Sequence, residues 1–109
     1  MSYFVSFSID AGGQEPVKLS DHNYTYNVWQ MFYAVFPAGE RGLYYLCGKV
    51  AGDCIETLET AIVNFRNQWG ELSKYNPVNG WGNAEGALNF LESILRDCYK
   101  FPKCIIEVS

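Results

Sequence analysis

The sequence predicts an α/β protein of the α+β kind: a small sheet of the N- and C-terminal strands packed against about three helices. Three observations predict it. Tyr3, Val5, Phe7 and Ile9 alternate with Phe4, Ser6 and Ser8, the period of a strand with one buried face. Lys103-Cys104-Ile105-Ile106-Glu107-Val108 closes the chain with a second run of β formers behind Pro102. Between these ends lie three stretches with apolar residues at helical spacing.

The first strand runs from Ser2 to Asp10 and is stopped by Ala11-Gly12-Gly13. Gln14 to Asp21 is polar, with room for a short extended piece at Val17-Lys18-Leu19. His22 to Asn27 is a polar, aromatic segment in which Thr25 or Asn27 can cap the following helix. That helix spans Val28 to Phe36, puts Val28, Met31, Phe32 and Val35 on one face, and ends at Pro37-Ala38-Gly39. Glu40 to Gly42 reads as a turn, and Leu43 to Cys47 as one helical turn or a short strand. Asp53 is placed to cap the second helix, with Glu56 three positions on. Cys54, Leu58, Ala61, Ile62, Phe65 and Trp69 form its stripe, and Gly70 is the expected stop. Asn83 caps the last helix, Ala84 to about Lys100, whose expected stripe is Ala84, Leu88, Leu91, Leu95 and Cys98. Gly86 weakens its first turn by roughly 1 kcal/mol relative to alanine. The order is β, α, α, α, β with small extra strands allowed, and the two terminal strands are expected side by side.

The 109 residues suit a single globular domain, residues 1–109, and 49% hydrophobic with 17% aromatic content supplies a core. No run of about 18 apolar residues occurs, and Met1 to Phe7 lacks a basic, apolar secretory leader. These features point to the cytoplasm. Net charge is −4, from 12 acids against 8 scattered bases, which disfavours DNA as a partner. Cys47, Cys54, Cys98 and Cys104 fit no zinc spacing, so free and mostly buried thiols are expected, with no metal and no cofactor.

Two segments stand out for function. His22 to Asn27 and Asn76-Pro77-Val78-Asn79-Gly80-Trp81-Gly82 each precede a helix start and combine asparagines with aromatics. Amides read hydrogen-bond patterns, aromatic faces stack flat rings, and helix N-termini attract anions. Trp81 between glycines is expected to pack against something definite. If the segments meet, Asn23, Tyr24, Thr25, Asn27, Trp29, Asn76, Asn79 and Trp81 would line a site for a small polar or nucleotide-type ligand, with charge from Arg41, Arg66 or Lys74. The alternative is that these asparagines and Thr25 only cap and tie loops, and that Trp29 and Trp81 are core lids. His22 beside Asp21 can be drawn into a Cys-His site, but no nucleophile motif accompanies any cysteine, so no catalytic residue is assigned.

His22 to Trp29, Ala51-Gly52-Asp53-Cys54 and Asn76 to Gly82, with the Ser2–Gly13 and Pro102–Ser109 ends, resemble a family of small phage and prophage proteins with N-Y-T-x-N-V and N-P-x-N-G-W-G motifs. Here Trp29 precedes Met31, the reverse of the family order, and Pro37 to Leu46 diverges. The resemblance implies a phage-encoded accessory protein acting in the host cell. The expectation is a non-enzymatic, oligomeric binding protein that counters host defence by sequestering a nucleotide-type signal. The alternative is a module that inhibits a host defence protein through its exposed aromatics.

Overall fold

Three antiparallel strands, β1 (Ser2–Ile9), β2 (Val17–Thr25) and β3 (Ile105–Val108), form a sheet in the order β2-β1-β3. The computed structural model describes residues 1–39 and 41–109; the expected turn at Glu40 thus lies partly outside the described residues. The period-two pattern of β1 does what it predicts. Tyr3, Val5 and Phe7 are fully buried, while Phe4 on the other face is 57% exposed. Ile106 sits opposite Phe7 and Val108 opposite Val5, so the two chain ends pair side by side and share one apolar face.

The short extended piece expected at Val17 is instead a nine-residue strand reaching Thr25. It pairs with β1 along its length, with a register shift between Phe7 and Ser8 that leaves Leu19 as the extra residue. His22 to Thr25 is therefore strand, not loop. The buried face of β1 continues onto Ser20, His22 and Tyr24, which stand opposite Phe7, Val5 and Tyr3.

Helices cover that face. A 3₁₀ turn, Tyr26–Val28, is started by Thr25, whose hydroxyl accepts the Asn27 N–H at 3.3 Å. It leads into α1 (Trp29–Val35); Val28 at the end of the turn and Met31, Phe32 and Val35 on the helix are buried as their spacing requires. Residues Gly42–Leu46 form a second 3₁₀ turn, entered through left-handed Arg41. A third, Ala51–Cys54, runs directly into α2 (Ile55–Asn67). Asp53 lies inside that turn and caps nothing. The segment is held from outside, by Ala51 N–H to Cys104 O at 2.7 Å and Gly52 N–H to Pro102 O at 2.8 Å.

The α2 stripe is buried from Cys54 to Phe65, but Trp69 is 41% exposed. The chain turns at Gln68 and not at Gly70, which lies within a short helix, α3 (Trp69–Leu72), anchored by buried Leu72. In α4 (Ala84–Lys100) the buried residues are Ala84, Ala87, Phe90, Leu91, Ile94 and Cys98. Leu88 and Leu95 are only half-buried, because the helix turns its Phe90 side toward β2. All these buried side chains belong to one core. No helix among the described residues is long and apolar enough to cross a membrane.

Candidate functional site

Tyr24 is where the strand, the loop and the last helix meet. Its place on the inward face of β2 aims the ring at α4, where it stacks on Phe90 with centroids 5.7 Å apart. Its hydroxyl accepts the Asn83 N–H at 3.1 Å and faces the Asn83 carbonyl at 3.4 Å. A Cβ at position 86 would overlap the Tyr24 hydroxyl, so the helix-weakening glycine is what lets the ring approach. Gly82 plays the matching part in the loop. It has φ +96°, and a side chain there would overlap the Thr25 methyl.

The asparagines of the loop are spent on the backbone. Asn83 Oδ1 accepts the Gly86 N–H at 2.7 Å and caps α4. Asn76 Oδ1 accepts the Ala84 N–H at 2.8 Å, and Asn79 Oδ1 the Trp81 N–H at 3.0 Å. The capping reading thus holds for Asn76, Asn79 and Thr25. It fails for Trp81. The loop is seated through Gly82 and Asn83, and the indole is left 70% exposed instead of packed.

The two segments do converge. Asn23, Tyr24, Thr25 and Asn27 on one side, Trp81, Gly82 and Asn83 on the other, and Met1 and Ser2 of the adjoining strand end line an open cleft of about 560 Å³. Asn23 and Asn27 are both exposed where they line it. Of the residues expected there, Trp29 is elsewhere: it stacks against Tyr26 and meets the edge of Tyr33 at 5.0 Å. Asn76 and Asn79 brace the loop without lining the cleft.

Among the described residues, no Lys, Arg, Asp or Glu side chain lines the cleft. Arg41 lies 5.0 Å over the Tyr44 ring, Arg66 pairs with Glu92 at 3.1 Å, and Lys74 pairs with Glu71 at 3.2 Å. At the α4 N-terminus, the N–H groups of Asn83, Ala84 and Gly86 are already bonded to side-chain oxygens. The expected help from Arg41, Arg66 or Lys74 is missing from the cleft.

A second cluster was not anticipated. Ser20 Oγ donates to Asp97 Oδ2, and His22 Nε2 meets the same oxygen at 2.6 Å. Ser20 Oγ and His22 Nε2 are 3.3 Å apart. Burial raises the Asp97 pKa, but the hydrogen bonds from Ser20 and His22 and the charges of His22 and Lys100 outweigh it, so the net shift is downward. One imidazole nitrogen faces both the hydroxyl and the carboxylate. A relay needs the two on opposite nitrogens, so the geometry is that of a clip between β2 and α4. The signal was available: Ser20, His22 and Tyr24 fall at period two.

The cysteines offer little chemistry. Cys54, Cys98 and Cys104 are buried, Cys47 is exposed, and all four are unpaired. Burial pushes the Cys54 thiol up, and the Cys98 thiol up to about 12. No group of three His, Cys, Asp or Glu side chains suited to a metal occurs among the described residues. Comparison of the chain with family models, curated proteins and solved structures finds no match.

Proposed function

We propose that this protein is a non-enzymatic binding protein that holds a small ligand with a flat, nucleobase-like ring in the cleft between Asn27 and Trp81. One observation carries the reading: two segments more than fifty residues apart converge on one cleft with an exposed indole on its wall. A tryptophan face stacks any flat ring, and paired amides supply both donors and acceptors. Asn23 and Asn27 take the recognition role, Trp81 the stacking role, and Tyr24 and Thr25 hold the wall in shape. A lining without Lys or Arg side chains favours the nucleoside part of a nucleotide-type signal over its phosphates. In the phage setting that the sequence resemblance suggests, sequestering such a signal in the host cytoplasm would blunt a defence response. A second copy of the chain closing over the open cleft would shield the indole from water.

The experiment is a thermal-shift screen against nucleosides and nucleotide second messengers. A ligand bound to the folded state raises Tm by mass action, worth about 2.7 kcal/mol at a hundredfold excess over Kd. Trp81→Ala should remove the shift. No shift with any member, or a shift that survives Trp81→Ala, rejects the reading.

A second reading rests on Val78, which is fully exposed on the same loop as Trp81. Exposed apolar and aromatic side chains on one loop are typical anchors of a protein interface. On that reading the loop covers a host defence protein, and pull-down of a host protein lost in Val78→Ser and Trp81→Ala would replace ligand binding as the result.

A further inference from the structure

The cleft does not stop at Tyr24. A second hollow of about 330 Å³ lies on the other side of Asn23 and Tyr24, between β2 and α4. Asn23 and Tyr24 line both hollows. Gly86, Asn89, Phe90 and Ser93 form its helical wall, spaced i, i+3, i+4, i+7, and His22 lies on the strand side. Both volumes fall in the roughly 300–1,000 Å³ range of small-molecule sites.

The hydrogen-bonding capacity of the second hollow is specific. His22 Nε2 is committed to Asp97, so a neutral ring has Nδ1 left as an acceptor. Ser93 Oγ donates to the Asn89 carbonyl at 2.9 Å, which leaves its lone pairs to accept. The Asn89 side chain is exposed and adds an amide. These groups suit hydroxyls or amines, such as those of a sugar or an exocyclic amino group. Asn23 lines both hollows from the edge strand; its partner Phe4 bonds to Ser109 on the far side, so the Asn23 backbone N–H points outward and can donate to whatever links the two parts of a ligand.

We infer that the two hollows form one trough for a two-unit ligand of the dinucleotide class. One unit stacks on Trp81 beside Asn27, the other binds against His22, Asn89 and Ser93, and the link passes over Asn23. This rests on the reading of the first cleft as a nucleoside site. A lone nucleoside fills only half of such a trough. Joining two units makes the second contact intramolecular and strengthens binding without any new contact.

The test is isothermal titration calorimetry of the full chain with each ribonucleoside and with its homodinucleoside monophosphate. The dinucleoside monophosphate is expected to bind at least about tenfold more tightly than its nucleoside. In Asn89→Ala the ratio should fall to about one. Equal affinities in the unchanged protein, or a ratio that survives Asn89→Ala, overturn the trough while leaving the first cleft standing. Absence of binding by any nucleoside and any dinucleoside monophosphate overturns the cleft reading and the trough with it.

Discussion

Replacing Gly86 with alanine should reverse the usual sign of a helix substitution. Gly to Ala within a helix ordinarily stabilises by up to about 1 kcal/mol. Here the added Cβ would overlap the Tyr24 hydroxyl and press on the ring carbons behind it. The ring cannot simply swing away, because it stacks on Phe90 and its hydroxyl is bonded to Asn83. Forcing extra volume into a packed site costs roughly 1–3 kcal/mol. Set against a helix gain of about 1 kcal/mol, Gly86→Ala is expected to cost up to about 2 kcal/mol. The decisive comparison is with Tyr24→Leu, which removes both ring and hydroxyl. In that background Gly86→Ala should stabilise by up to about 1 kcal/mol. The coupling in the double-mutant cycle is therefore about 1–3 kcal/mol, above the few tenths expected of independent sites. Urea unfolding of the four proteins measures it. If Gly86→Ala stabilises the unchanged protein, or costs the same in both backgrounds, Tyr24 does not set the residue at 86 and the account of the cleft wall is wrong.

Other perturbations separate binding from scaffold. Trp81→Ala should shift stability by no more than about 0.5 kcal/mol in urea, since its indole is mostly in water, yet abolish any ligand-dependent rise in Tm. Asn83→Ala should cost about 1 kcal/mol through loss of the α4 cap, whereas Asn27→Ala should be close to neutral for folding and weaken ligand binding. Asp97 titrates below its ordinary value in the fold, so its contribution is present above the unfolded pKa of about 3.9 and is lost as pH falls through the lower folded value. Asp97→Asn should accordingly flatten the acid limb of stability measured by urea unfolding from pH 5 downward; an unchanged limb would exclude the clip as its source. Native alkylation should add a single label, at Cys47, by intact mass, and the three buried thiols should react only after unfolding.

The parts of the fold that could be read from the sequence are those where apolar residues mark the buried face. β1 alternates apolar and exposed residues, α1 carries an unbroken stripe, and the two chain ends are the strongest β formers, so their pairing followed. β2 was hidden because its inward residues beyond Tyr24 are His22 and Ser20. They satisfy that face by bonding to Asp97 instead of by being apolar, and a hydropathy pattern cannot register such a choice. Asp53 has the chemistry of a cap, but a cap is needed only where the backbone enters the helix from an extended conformation. Here a 3₁₀ turn held by Cys104 and Pro102 delivers the chain already coiled.

The candidate site divides along the same line. Short-range chemistry identified Asn76, Asn79, Asn83 and Thr25 as residues that bond nearby backbone, and that is where their oxygens go. Which side chains remained free depended on a long-range contact, the Tyr24 hydroxyl on Asn83. That contact fixes the loop by its small residues, Gly82 fitting against Thr25, and so the tryptophan next to it points outward. Burying a large aromatic is worth about 1.5–3 kcal/mol, which the fold of the isolated chain largely forgoes at Trp81. A loop whose asparagines and glycines are all engaged in holding a shape, while its largest apolar side chain is left in water, is stabilised for something other than its own packing. Asn23 and Asn27 across the cleft are the residues that the proposed reading puts to use beside that exposed face.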